Sequence, residues 1–228
     1  MTDPKRAAGE HAASLIENGM TLGLGTGSTA EHFLQKLGER IRLEGLRVRG
    51  VPTSGATEAF AEKMRIPLVP LAGVHTIDVT IDGADEIDNS FRMIKGGGGA
   101  LLREKVVASL TRTEIIVVGE NKVVEKLGTT FALPIEVVPF AVATVTRAIS
   151  PLGTVTLRKM GHTTFVTDNG NYILDLRLPA GIEDPPALEA ALDRIPGIVE
   201  IGLFIGLAHR LIIGKADGTV EVRDLPHC

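Results

Sequence analysis

The chain has 228 residues, with 44% apolar residues, a formal charge of −4, one tyrosine and no tryptophan. That length suits one large domain or a domain and a half, and the weak negative charge with few aromatic rings disfavours a nucleic-acid binder, which needs a basic field and stacking platforms. No apolar run approaches the roughly 18 residues of a membrane span, and Lys5 and Arg6 lead into Glu10 and His11 rather than an apolar leader. The lone cysteine, Cys228, reads as a frayed terminal thiol, so a soluble, cytoplasmic protein is expected.

Asp3-Pro4 reads as an N-cap with proline in the first turn, and Ala8, Ala12, Leu15 and Ile16 recur at helical spacing until Gly19. Residues 20–24 form a short apolar strand. Gly25-Thr26-Gly27-Ser28-Thr29 then turns it into a second helix expected to end near Gly38, which makes the first half of a βαβ unit. Residues 48–51 read as strand, 58–64 as helix, and 77–81 as a strand that enters the acidic loop Asp82-Gly83-Ala84-Asp85-Glu86-Ile87-Asp88. Lys95-Gly96-Gly97-Gly98-Gly99 precedes a helix over 101–110 that is apolar on most sides and therefore buried. The apolar strand 115–118 suits a parallel sheet covered on both faces. The first ~130 residues thus read as a doubly wound, Rossmann-like α/β domain with a mostly parallel sheet.

Beyond Pro134 the pattern changes. Strands are expected at 135–138, 155–157, 164–167, 172–176 and 198–203, with helices at 142–149 and 185–194 and a turn at Asp168-Asn169-Gly170-Asn171. This approximates the β-α-β-β-α-β order of a small ferredoxin-like α+β module. Residues 211–213 and 220–222, around Asp217-Gly218, form a hairpin expected to rejoin the first sheet. The expected division is 1–130 plus 205–228 for the α/β domain and 131–204 for the α+β module.

Three stretches carry chemistry. Gly25 to Ala30 fits the dinucleotide pattern G-x-G-x-x-A, but the second strand ends Val51-Pro52-Thr53-Ser54 without the acid that would hold a ribose. A nicotinamide cofactor is therefore not expected. Hydroxyls and N–H groups at a helix N-terminus still suit a single phosphate, and the bland alternative is a tight strand-to-helix turn. The acids Asp82, Asp85, Glu86 and Asp88 could hold a hard cation or line a solvated loop. No His or Cys lies near them, and the proximity of Lys95 points to carboxylates balanced by an ammonium rather than by a metal. The glycine run lacks the Gly-Lys-Ser/Thr ending of nucleotide-binding loops, so an NTPase is disfavoured; four ordered glycines imply close approach of a ligand or of backbone. In the helix that follows, Glu104 projects between Val107 and Ala108. Such surroundings raise a carboxyl pKa toward the range useful to a general base; the alternatives are a salt bridge to Arg103 or Lys105 and a surface position.

Taken together, Gly25-Thr26-Gly27-Ser28-Thr29, Asp82-Gly83-Ala84-Asp85-Glu86, Lys95-Gly96-Gly97-Gly98 and Arg103-Glu104-Lys105 resemble the ribose-5-phosphate isomerase family of the A type. The resemblance extends through Asn121-Lys122, Leu133-Pro134-Ile135-Glu136-Val137, Val166-Thr167-Asp168-Asn169-Gly170-Asn171 and the stretch 197–204, so it covers nearly the whole chain. It implies reversible conversion of D-ribose 5-phosphate to D-ribulose 5-phosphate, without a metal or other cofactor, in the pentose phosphate pathway. It also implies an α/β domain with an α+β lid, and a homodimer or tetramer. Glu104 matches the family's catalytic base. Substrate-binding positions fall on Thr26, Gly27, Ser28, Thr29, Asp82, Gly83, Ala84, Asp85, Lys95, Gly96, Gly97, Gly98 and Lys122, and Lys5 matches a lysine near the phosphate. The fourth glycine, Gly99, departs from a pattern that accommodates alanine, and its expected effect is only a looser helix start.

On this reading Glu104 carries the proton, Lys95 supplies positive charge to the developing oxyanion, and Asp82 and Asp85 orient hydroxyls and assist ring opening. Two rivals share the fold. A CoA-transferase-like or amino-sugar-phosphate deaminase enzyme would exchange acyl-CoA or release ammonia. A sugar-phosphate-binding regulator would need a basic DNA-reading helix, whereas the first helix has only Lys5 and Arg6 before alanines and acids.

Overall fold

The structure, a computed structural model, describes residues 3–225, and Cys228 lies outside them. Local chemistry sets the first helix, Pro4–Ser14. Asp3 caps it by accepting from the Lys5 N–H at 3.0 Å, and Pro4 sits in the first turn, where a missing N–H costs nothing. The helix stops about a turn before the apolar spacing does, yet Ile16 remains in the core. The strand Thr21–Leu24 leads to the helix Ser28–Glu44, which runs straight through Gly38 rather than ending there. Gly38 is a packing position: a Cβ on it would lie 2.8 Å from the Met64 carbonyl oxygen. The terminator is Gly45, left-handed at φ 71° with its N–H bonded to the Arg40 carbonyl. The next helix, Gly55–Lys63, starts three residues before position 58 because Ser54 caps it, accepting from the Thr57 N–H at 3.0 Å.

The chain divides into two compact units. The first is drawn from residues up to Ala84, Arg103–Val123, and residues from Leu207 onward. Its six-stranded sheet has the order Val220–Asp224, Arg210–Gly214, Thr111–Gly119, Ile77–Asp82, Thr21–Leu24, Arg49–Pro52. The terminal hairpin does join this sheet. Its last strand is antiparallel to its neighbour, and the other five strands are parallel. Registers such as Leu24 with Pro52 and Gly119 with Gly214 bring the carboxyl ends of the parallel strands to one edge.

Helices cover both faces of the sheet. Leu22 and Leu24 pack in one cluster with Ala8, Ala12, Phe33 and Leu37 of the first two helices. Gly23, between them, faces the other way, since successive strand residues alternate. On that side a Cβ would meet Val107, in the helix Leu101–Ser109, at 2.7 Å.

The second unit, Asp85–Leu102 and Val124–Gly206, holds an antiparallel sheet in the order Ile198–Ile201, Leu133–Val137, Tyr172–Arg177, Thr154–Leu157. Numbered along the chain that order is fourth, first, third, second, with helices Val142–Ile149 and Pro185–Leu192 between strands. The stretch 198–203 is not one strand. It breaks at Gly202, where a Cβ would lie 2.5 Å from the Lys95 carbonyl, and Leu203–Phe204 then pairs with Met93–Ile94 in a separate three-stranded sheet. That pairing places residues 85–102 in this unit.

Nor do 164–167 form a strand. Only Thr163–Thr164 pairs, with Lys159–Met160, and the following residues close a turn in which the Thr167 N–H donates to the Asn171 carbonyl at 2.9 Å. Thr167 hydroxyl and Asn171 amide both donate to buried Glu136 at 2.9 Å, so polar side chains here satisfy one another instead of a ladder. No helix among the described residues is long and apolar enough to cross a membrane.

The packing role of Gly38 has a measurable sign. Alanine would gain helix propensity, up to ~1 kcal/mol, but its Cβ collides with backbone, and overpacking of this kind costs about 1–3 kcal/mol. Gly38→Ala is expected to lower the urea midpoint; a raised midpoint would restore Gly38 to the role of a weak point in the helix.

Candidate active site

At the carboxyl edge of the first unit, the Gly25 turn is built on Asp82. The Gly25 N–H donates to the Ile81 carbonyl at 2.9 Å, and Asp82 Oδ1 accepts from the N–H groups of Thr26, at 3.0 Å, and Gly83, at 2.7 Å. Asp82 is 1% exposed. A Cβ on Gly25 would stand 2.4 Å from that same oxygen, so only glycine lets the turn descend onto the carboxylate. The Thr26 hydroxyl lies 2.8 Å from that of Thr53, 2.9 Å from Ser54 and 3.0 Å from Thr57, while Thr57 also donates to the Gly25 carbonyl at 3.0 Å. Thr53, Ser54 and Thr57 thus belong to the turn's support. The missing acid in Thr53-Ser54 is not their only message: two hydroxyl residues directly after the strand Arg49–Pro52 are the sequence signal for this support.

Gly27, at φ 112°, opens the helix Ser28–Glu44 without a side-chain cap. From the first helix Lys5 reaches across, its Nζ 2.9 Å from Ser28 Oγ. An ammonium and a hydroxyl beside a helix N-terminus suit a phosphate. Ser28 is exposed and Thr29 buried. Gly83 and Ala84 continue from Asp82, both half-buried, and Lys122 stands half-buried in the short turn Glu120–Lys122 after the strand Thr111–Gly119. Glu104, on the helix Leu101–Ser109, is 6% exposed. Its near neighbours on that face, Leu101, Val107 and Ala108, are all buried, whereas Val106 and Ser109 are exposed. The dry setting expected from periodicity is therefore present, and the surface alternative is not.

In the second unit the glycine run is tied in a similar way. The Asp85 N–H donates to the Ile94 carbonyl at 2.8 Å, and Asp85 Oδ2 accepts from the Gly97 N–H at 2.6 Å. A Cβ on Gly97 would lie 2.4 Å from Asp85 Oδ1. Lys95 is 2% exposed, its N–H bonded to the Gly202 carbonyl at 2.9 Å and its Nζ 5.5 Å from the centre of the Phe204 ring, a cation–π distance. Gly97 and Gly98 are exposed between buried Gly96 and Gly99.

The remaining acids are occupied elsewhere. Fully buried Glu86 accepts from the N–H groups of Gly128, Thr130 and Phe131 and from the Thr130 hydroxyl, at 2.5–2.6 Å. Asp88 binds the Arg92 guanidinium at 2.7 Å. Among the described residues no group of three or more His, Cys, Asp or Glu side chains could hold a metal ion.

Residues 49–218 match the family model of ribose 5-phosphate isomerase A (phosphoriboisomerase A). The chain belongs to that family. It is 47% identical over 222 residues to the ribose-5-phosphate isomerase A of Bacillus mycoides strain KBAB4, with 97% of this chain and 100% of that one covered. Among solved structures it is similar to the ribose 5-phosphate isomerase from Plasmodium falciparum, with a TM-score of 0.95 and 35% identity over 100% of both chains. It is also similar to a D-ribose-5-phosphate isomerase in complex with phospho-erythronic acid, with a TM-score of 0.92 and 37% identity over 97% of each chain. Family membership at this coverage sets aside the transferase and regulator readings.

One family position needs correcting. Gly99 does more than loosen the helix start of this isomerase A: it is left-handed at φ 81°, its N–H closes a turn onto the Gly96 carbonyl at 2.9 Å, and a Cβ would lie 2.4 Å from the Phe165 ring. Alanine there meets both strain and a ring. Gly99→Ala is expected to lower the melting temperature, with about 1–3 kcal/mol lost. Adding Phe165→Leu should recover part of the loss, and a double variant no more stable than the single one would show that the ring is not the obstacle.

Proposed function

We propose that Glu104 is the base in the reaction this isomerase catalyses, the interconversion of ribose 5-phosphate and ribulose 5-phosphate in the pentose phosphate pathway. Going from aldose to ketose, the ring opens, Glu104 removes the proton from C2, and the resulting enediol receives a proton at C1 while the O2 hydroxyl proton moves to O1. One carboxyl group accepting and returning the proton keeps the transfer on one face of the enediol. Lys95 supplies positive charge for the enediolate oxygen, and Asp82 and Asp85 orient sugar hydroxyls and assist ring opening, each also fixing a glycine turn in its own unit. Thr26, Gly27, Ser28 and Thr29, with Lys5 and Lys122, receive the phosphate end. Gly83, Ala84, Gly96, Gly97 and Gly98 offer backbone groups to the sugar.

The observation that carries this reading is the burial of Glu104 among apolar neighbours on the helix that directly follows the glycine run. A carboxylate held out of bulk water is a stronger base than one in solvent, which is what proton abstraction from carbon needs. The complex of a similar isomerase with phospho-erythronic acid supports a phosphorylated acyclic ligand here as well. In architectural terms we read the first unit as a doubly wound, Rossmann-like catalytic domain and the second as a smaller ferredoxin-like α+β domain, in a cytoplasmic homodimer or tetramer that needs no metal.

Glu104→Gln keeps shape and hydrogen-bonding reach but removes the basic oxygen. Its turnover of ribose 5-phosphate should fall by at least ~10²-fold, the usual scale of general-base loss, with the melting temperature near that of the parent chain; near-normal turnover would refute the assignment. In the same assay EDTA should leave the parent chain's rate unchanged, and a rate abolished by chelator and restored by a divalent cation would bring back the metal reading.

A further inference from the structure

We infer that Arg158 is a positioning residue for the glycine loop, fixing the direction in which the peptide N–H groups of Gly97 and Gly98 face. The inference rests on the reading of residues 95–98 as part of the substrate site. Arg158 follows the strand Thr154–Leu157, and its own backbone is held at both ends: its N–H donates to the Ile173 carbonyl at 2.8 Å, and its carbonyl accepts from the Phe165 N–H at 3.0 Å. The side chain is 13% exposed. Nε and Nη2 grip the two oxygens of Asp175, the former at 3.0 Å, while Nη1 donates to the carbonyls of Gly96 at 2.7 Å and Gly97 at 3.1 Å. The guanidinium carbon lies 5.9 Å from the centre of the Phe165 ring, and that ring is the one standing against Gly99.

A planar fork of five donors can bridge a carboxylate and two carbonyls at once, which a lysine ammonium cannot do in fixed geometry. In a trans peptide the carbonyl and the following N–H point in opposite directions. With the Gly96 carbonyl turned to Arg158, the Gly97 N–H points away, and it indeed meets Asp85 at 2.6 Å. With the Gly97 carbonyl also turned to Arg158, the Gly98 N–H points away too. Glycines have no Cβ to select one conformation, so this loop by itself would sample both signs of φ. The two carbonyl contacts, acting with the Asp85 bond to the Gly97 N–H and the turn from the Gly99 N–H to the Gly96 carbonyl, remove that freedom and leave the Gly98 N–H preset for a sugar oxygen, at no reorganisation cost when charge develops there. A salt bridge that merely finished the strand would need Asp175 alone.

Three measurements on the full chain test this. Arg158→Gln and Arg158→Lys are expected to lose about tenfold or more in kcat/KM for ribose 5-phosphate, well below their melting temperatures, which is the scale of one or two oriented hydrogen bonds. Guanidinium ion added to Arg158→Ala should restore part of the activity, and it should not rescue Glu104→Gln. Amide hydrogen exchange in the peptide spanning residues 95–101 should rise in Arg158→Ala while the Tyr172–Arg177 strand stays protected. Variants that remain folded and keep kcat/KM within about twofold of the parent, or loop exchange unchanged in Arg158→Ala, would overturn the inference. A parent chain inactive on ribose 5-phosphate would instead sink the functional reading, and the exchange measurement would still decide what Arg158 does to the loop.

Discussion

A carboxylate oxygen set in the space where a side chain would begin is the contact on which the site depends. Asp82 Oδ1 takes the N–H groups of Thr26 and Gly83 and lies 2.4 Å from where a Gly25 Cβ would be. This one oxygen therefore joins the exits of two parallel strands, Thr21–Leu24 and Ile77–Asp82. Hydrogen bonds to an ionised acceptor are shorter and stronger than neutral ones, and burial of Asp82 makes them obligatory, since a buried carboxylate without donors is heavily penalised. The helix Ser28–Glu44 is aimed by the turn thus fixed, and with it the N-terminal N–H groups beside Lys5 and Ser28.

The second unit repeats the device with different parts. Asp85 accepts from the Gly97 N–H, and a Cβ on Gly97 would again stand 2.4 Å from the carboxylate. In both places glycine is required for the room it leaves to an acid rather than for a turn conformation alone. That accounts for acids and glycines appearing together in the sequence: Asp82 and Asp85 lie three residues apart, and each holds a different glycine segment of its own unit. Glu86 and Asp88, between and beyond them in sequence, hold backbone instead: Glu86 gathers the 128–131 turn and Asp88 its own loop through Ser90 and Arg92. A run of four acids thus divides into two that hold glycine turns and two that are structural.

Buried polar side chains here act mostly by ordering backbone. Thr53, Ser54 and Thr57 surround the Thr26 hydroxyl, Glu136 accepts from Thr167 and Asn171, and Arg158 donates to the Gly96 and Gly97 carbonyls. Glycine-rich segments lose more entropy on ordering than any others, so each needs a fixed polar partner to present one conformation. The partners come from distant points in the chain, 62 residues apart for Arg158 and Gly96, and no local pattern announces them.

Local chemistry in the sequence determined much by itself. Apolar runs of four to six residues, Asp3-Pro4 at the start of the first helix, and the Asp217-Gly218 turn placed most of the longer elements, because caps, proline and alternation act within a few residues. The i, i+3, i+4 rule likewise set Glu104 beside Val107 and Ala108, but Arg103 and Lys105 also fall among apolar neighbours on that helix, so the burial of Glu104 itself was left to packing. Only the tertiary structure decided whether a glycine stops a helix or makes room for a neighbour: Gly38 yields to Met64 and Gly99 to Phe165, and both neighbours are set by packing between segments. It alone split 198–203 between two sheets, because Met93–Ile94 competes for Leu203–Phe204. And it alone set the acids apart and brought Arg158 to the glycine loop, since a side chain's partner is fixed by the space the whole fold encloses and not by its neighbours along the chain.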